Sequence, residues 1–271
     1  MGVFKKLEEK SAMLFSIAAL IIFEVIFFLI GLLSGMFIHI DHYYLFLTIQ
    51  EAMGAAAAIG ILILSGRGKS VLKSRKGFFP SLFVGMYEVV LLIVAFSGVI
   101  IQNTEKLLPV TEIVIFVIFM LLVGITEEVF FRGVITDSLL KKYGTSRKGI
   151  ILSVAASGLL FGLSHLVNLS AGIGLAGVLI QVAQATALGI FFGAVYMRTH
   201  NIFAVIFLHS AMDFVSLSSS GLWGVGSVES YIDSFSLVNL APVLVYLIPS
   251  IFLMRASKLD DFLGKSIQSG E

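Results

Sequence analysis

Cysteine is absent from these 271 residues, which removes disulfides, thiolate metal sites and a cysteine nucleophile from consideration. Charge is scarce as well, at 13% of residues against roughly 25% in a soluble domain. The formal net charge of +1 gives no footprint for nucleic acid. Internal repeats, low-complexity tracts, a long polar insert and an HExxH zinc signature are all lacking. What stands in their place is apolar: 58% of residues are hydrophobic and the mean hydropathy is +1.03. An integral, multi-pass membrane protein is expected, folded as a single transmembrane domain over residues 1–271 with no separate soluble domain.

A helix needs ~20 apolar residues to cross the hydrocarbon core. Eight runs qualify: Ala12 to Leu33, Tyr43 to Leu64, Phe78 to Ile101, Thr111 to Leu140, Gly149 to Val167, Leu175 to Met197, Ile202 to Leu217 and Phe235 to Met254. The expected fold class is all-α, a polytopic transmembrane helical bundle of about eight spans. The stretch "TDSLLKKYG" after Ile135 looks amphipathic and is expected to leave the bilayer. The first run follows "KKLEEK" like the start of a signal peptide, but it exceeds an h-region of ~7 to 15 residues and lacks a small-x-small cleavage site. It reads as a retained anchor.

Basic residues favour the cytoplasmic side of short loops. With a cytoplasmic N-terminus and eight alternating spans, all but two of the 18 basic residues fall inside, the exceptions being Lys106 outside and Arg132 within a span. Both termini are therefore expected in the cytoplasm, and the lack of cysteine fits a cell membrane of prokaryotic type.

Against this background "EEVFFR" at 127–132 stands out, because a charge at a helix centre costs about 2.5 to 3.5 kcal/mol on insertion scales. Adjacent glutamates on a helix point ~100° apart. Glu128 and Arg132 are four residues apart and share a face, so an intrahelical ion pair is expected, which leaves Glu127 to find a partner on another span. Histidines supply candidates: His165 in "LLFGLSHLVN", and His209 with Asp213 one turn later in "VIFLHSAMDF". At ~1.5 Å per residue from the basic flanks, Glu127 is ~20 Å deep, His165 ~24 Å, His209 ~12 Å and Asp213 ~18 Å, so all four could meet in one polar cavity. The other membrane carboxylates, Glu24, Glu51 and Glu88, are expected to pair inside the bundle, and Gln181 and Gln184 to hydrogen-bond between helices. Trp223 and Tyr231 are expected at the membrane interface.

Taken in order, "EEVFFR" at 127–132, "FGLSH" at 161–165 and "HSAMD" at 209–213 resemble the EExxxR, FxxxH and HxxxN/D motifs of the CAAX protease and bacteriocin-processing family, with a motif-bearing core at about 111–217. The resemblance implies an intramembrane endopeptidase related to the Ras-converting CAAX enzymes. It implies Glu127 as general base, His165 orienting the water, and His209 with Asp213 stabilising the developing oxyanion. Glu128, Arg132 and Phe161 would support them. The third motif ends in Asp213 where the family often has asparagine. An ionised aspartate only accepts hydrogen bonds, so Asp213 is expected either to be protonated or to orient His209 from behind.

No cofactor is favoured, although His165, His209, Glu127 and Asp213 would make an acceptable zinc set. The expected partners are the lipid bilayer and a membrane-associated peptide or prenylated protein, reached from the cytoplasm or laterally from the bilayer. Two other readings are a non-catalytic bacteriocin-immunity or scaffold protein of the same fold and a proton-coupled transporter. The lack of repeated or proline-broken spans weighs against the transporter.

Overall fold

The computed structural model describes residues 2–38 and 42–269, with side chains over 5–38 and 42–264, so the side chain of Lys265 lies outside the described residues. Every regular element among them is helical. The chain starts with α1 (Gly2–Lys10), α2 (Ala12–Phe37) and α3 (Tyr43–Leu64). Next come the short α4 (Gly68–Leu72), then α5 (Phe78–Val84) and α6 (Met86–Gln102). The motif-bearing part holds α7 (Val110–Glu128), α8 (Asp137–Tyr143), α9 (Arg147–Ser164), α10 (Leu175–Thr199) and α11 (Ile202–Trp223). The chain closes with α12 (Val228–Asp233), α13 (Ala241–Leu253) and α14 (Ala256–Ser269).

Among the described residues, six helical stretches are long and apolar enough to span a bilayer unbroken, and the number reaches eight when two bent pairs are included. One is the expected third span, which turns by 76° at Gly85 between α5 and α6. The other is the eighth, where a short turn and α13 lead into α14 across a 55° bend. The expected fourth span is continuous from Val110 to Tyr143, with a π-helical segment over Val129–Thr136. There the Thr136 hydroxyl donates to the Phe131 carbonyl, five residues back, at 2.9 Å. Such wide turns inside an α-helix occur often at functional sites. Exposed apolar side chains such as Phe28, Ile93, Val94 and Ile251 form an outer surface that suits lipid.

Helices α9 and α10 touch backbone to backbone. A Cβ on Gly158 would come within 2.7 Å of the Ile190 amide nitrogen, and one on Gly189 within 2.9 Å of the Gly158 Cα. Small residues permit such an approach where lipid offers no hydrophobic push between helices.

The bundle has two chemically different ends. At one, Arg67 pairs with Glu8 and Asp137, Arg147 pairs with Asp260 at 2.6 Å, and the Asn201 amide donates to the Lys76 carbonyl at 2.8 Å. At the other, the Tyr43 hydroxyl donates to Glu229 at 2.8 Å, the Leu108 amide to the Leu222 carbonyl at 2.8 Å, and the Gly174 amide to Asp233 at 2.9 Å. The first end gathers the basic connections around residues 67–76, 141–148, 198 and 255–258, and the second carries Lys106.

Candidate active site

Gly124 lies one turn before Glu127 on α7. A Cβ there would come within 3.1 Å of the Ile206 carbonyl oxygen and 3.2 Å of the Ser210 amide nitrogen. The missing side chain lets α11 lie against α7, which brings His209 up to the paired glutamates. Gly124→Val is expected to destabilise the bundle by about 1–3 kcal/mol through overpacking and to displace His209. A thermal unfolding series in detergent, with Gly124→Ala as the milder step, measures the effect; a valine variant as stable as the parent would show that the helices do not need this approach.

The ring of His209 is 2% exposed and lies among three carboxylates. Its Nδ1 is 2.7 Å from Glu128 Oε1, and since a carboxylate oxygen accepts, Nδ1 carries the hydrogen. The other oxygen of Glu128, Oε2, is 2.9 Å from Arg132 Nε. The expected i, i+4 ion pair is thus present, but Glu128 also holds His209, a link across helices that the spacing did not disclose. His209 Nε2 lies 3.4 Å from Glu127 Oε2 and 3.5 Å from Asp213 Oδ2. Glu127 therefore finds its neighbour on another span, as expected, and Asp213 flanks the same nitrogen.

Arg132 is 1% exposed, with its guanidinium carbon 4.9 Å from the ring centre of Phe161 and 5.7 Å from that of Phe192. Phe161 in turn presents its ring edge-on to both histidines, at 5.1 Å from His165 and 5.7 Å from His209. His165 begins a 3₁₀ segment over His165–Ala171, because α9 stops at Ser164, short of the expected end at Val167. Its Nδ1 is 3.0 Å from the Phe161 carbonyl oxygen. A carbonyl has no hydrogen to give, so Nδ1–H donates and Nε2 keeps the free lone pair.

Glu127, His165, His209 and Asp213 all line one cavity of about 470 Å³. Its wall includes residues outside the motifs, among them Glu24, Glu51, Gln181, Gln184 and Tyr231. Glu51 and Glu24 thus share the chamber with Glu127, and Tyr231, expected at the interface, is part of its wall. Glu88 meets its expectation of pairing: it is fully buried and accepts from the Tyr246 hydroxyl at 3.3 Å. The glutamines meet theirs as well, Gln181 accepting from the Asn168 amide at 2.8 Å and Gln184 donating to the Asn239 carbonyl.

All four residues of the expected zinc set line the cavity. Among the described residues no three His, Asp or Glu side chains are arranged to hold a metal ion. Both Nδ1 atoms are engaged, one with Glu128 and the other with a backbone carbonyl.

No curated protein and no solved structure matches the chain. Residues 109–215, which carry all three motifs, match the family described as type II CAAX prenyl endopeptidase Rce1-like. This motif-bearing stretch of a multi-pass helical membrane protein is therefore similar to the type II CAAX prenyl endopeptidase Rce1-like family.

Proposed function

We propose that the chain is an intramembrane endopeptidase in which Glu127 activates a water molecule against a peptide bond. The observation that carries this reading is the placement of Glu127 against His209 Nε2 on the wall of a cavity that His165 also lines. Glu127 takes a proton from the water, and the lone pair of His165 Nε2 accepts the water's other hydrogen and orients it. The water oxygen adds to the carbonyl carbon. As the imidazolium, His209 donates from Nε2 to the developing oxyanion, while Glu128 and Arg132 hold the ring in place. Collapse breaks the carbon–nitrogen bond, and the proton on Glu127 passes to the leaving amine.

Asp213 stands 3.5 Å from His209 Nε2, beside the reacting face of the ring. It is proposed to position His209. The substrate is proposed to be a membrane-associated peptide. Phe23, Phe27, Leu91, Leu92 and Phe119 in the wall suit its apolar part.

Purified protein in detergent, offered a mixture of amphiphilic peptides and assayed by mass spectrometry for new termini, tests the proposal. Cleavage is expected to persist after prolonged chelation, and His165→Ala is expected to lower it by about 100-fold or more. Loss of cleavage on chelation with return on added zinc would replace the glutamate-activated water by a metal-bound one. A fully active His165→Ala variant would remove His165 from the reaction.

A further inference from the structure

The cavity has a definite floor and a definite mouth. Its deepest wall residues, Glu127, Phe131, Leu188 and His209, lie midway along the spans. From there the wall runs toward Asn168, Ala171, Ile173, Val228, Glu229 and Phe235, all in connections at one end of the bundle. Among the described residues, none from the connections at 65–77, 137–148, 198–202 or 254–264 contributes to it. On that side the space below Glu127 is filled by Phe130, Val134, Ile135, Leu139, Phe191 and Tyr196, each fully buried.

The closed end is the basic end. Short basic connections mark the cytoplasmic side of a membrane protein. We infer that the chamber is entered from the non-cytoplasmic side of the membrane, and that its substrate is a peptide segment presented at the outer leaflet. Cytoplasmic termini and entry from the cytoplasm, one of the two routes expected from the sequence, are incompatible in this fold, and the basic residues decide for the termini. The wall agrees with this substrate class: Glu24, Glu51, Glu127, Asp213 and Glu229 line it, with no lysine or arginine among the described residues, so an apolar or positively charged segment suits it better than a C-terminal carboxylate. The direction of entry stands on the fold and the basic residues alone; the peptide as occupant rests on the endopeptidase reading.

The lack of cysteine makes a clean test available, since each introduced thiol is the protein's only one. Ser170→Cys lies on the exposed 3₁₀ segment at the mouth, Ser216→Cys on the cavity wall, and Ser74→Cys on an exposed basic connection. Intact cells expressing each variant are treated with a membrane-impermeant, charged maleimide. S170C and S216C are expected to react about tenfold or more faster than S74C, which reacts only after permeabilisation, because a charged reagent does not cross the hydrocarbon core. Labelling of S74C in intact cells with S170C protected would invert the orientation and overturn the inference. So would an S216C variant that stays unlabelled from either side.

Cleavage by the parent protein and by Glu127→Gln, measured separately, keeps the two readings apart. Inverted labelling with Glu127-dependent cleavage removes the entry inference and leaves the peptidase. Outward labelling with cleavage indifferent to Glu127 does the reverse.

Discussion

Glu127→Gln is expected to lower peptide cleavage by about 10²- to 10⁴-fold, the range a positioned general base contributes, while the bundle keeps its fold. Glutamine has the same shape but no lone-pair charge to take a proton from water. The Glu127 side chain is 26% exposed toward the cavity and makes no buried ion pair tighter than its 3.4 Å approach to His209. Its neutralisation therefore leaves no stranded charge, since His209 keeps Glu128 at 2.7 Å. Initial cleavage rates, with thermal unfolding on the same preparations, check both halves of the expectation. A variant that cleaves at the parent rate would end the glutamate-base mechanism. A parent protein that does no hydrolysis, with biological function unchanged by the substitution, would favour the immunity or scaffold reading, in which these residues only join helices.

Arg132→Ala is expected to have the largest effect on stability, with a loss of about 3–5 kcal/mol, the cost of removing one partner from a buried ion pair. That is a sizeable share of the roughly 5–15 kcal/mol that holds a typical domain folded. Glu128 is fully buried and would keep His209 as its one remaining ionic partner, with the oxygen that faced the guanidinium left unpaired. The packing of Phe161 and Phe192 against the guanidinium and the bond from Arg132 to the Gly189 carbonyl at 3.3 Å would go as well. Arg132→Lys is expected to recover only part of the loss, because an ammonium group cannot stack flat on two rings while reaching a carboxylate and a carbonyl. Neutralising both partners in Glu128→Gln with Arg132→Met is expected to be less destabilising than Arg132→Ala alone, since carboxylate and guanidinium leave together and His209 keeps Glu127 and Asp213 beside its Nε2. Denaturant unfolding curves in detergent decide the order; a double variant no better than Arg132→Ala would show that shape at this site outweighs charge.

The contrast between the two glutamates shows where local periodicity stops. The pairing of Glu128 with Arg132, of His209 with Asp213 and of Phe161 with His165 all follow from four-residue spacing, because one helical turn brings such residues together whatever lies around them. The second bond of Glu128, to His209, joins residues 81 positions apart. It depends on how closely α11 approaches α7, which Gly124 permits but does not announce. Glu24 and Glu51 were legible as costly membrane carboxylates, yet their place on the wall of the chamber that holds Glu127 depends on where α2 and α3 pack.

Taken by itself, the sequence determined that this is a multi-span helical membrane protein, with about eight apolar runs, an asymmetric distribution of basic residues and three ordered motifs. A bilayer demands long apolar helices, and a turn of helix has a fixed length, so these features are written in composition and spacing. The tertiary structure alone decided that His209 links the two glutamates, that α5 and α6 meet at a sharp bend, and that the chamber opens away from the basic end. Those outcomes depend on which helix faces touch and which connections fold over the bundle. Spacing along one helix holds no information about contacts with another.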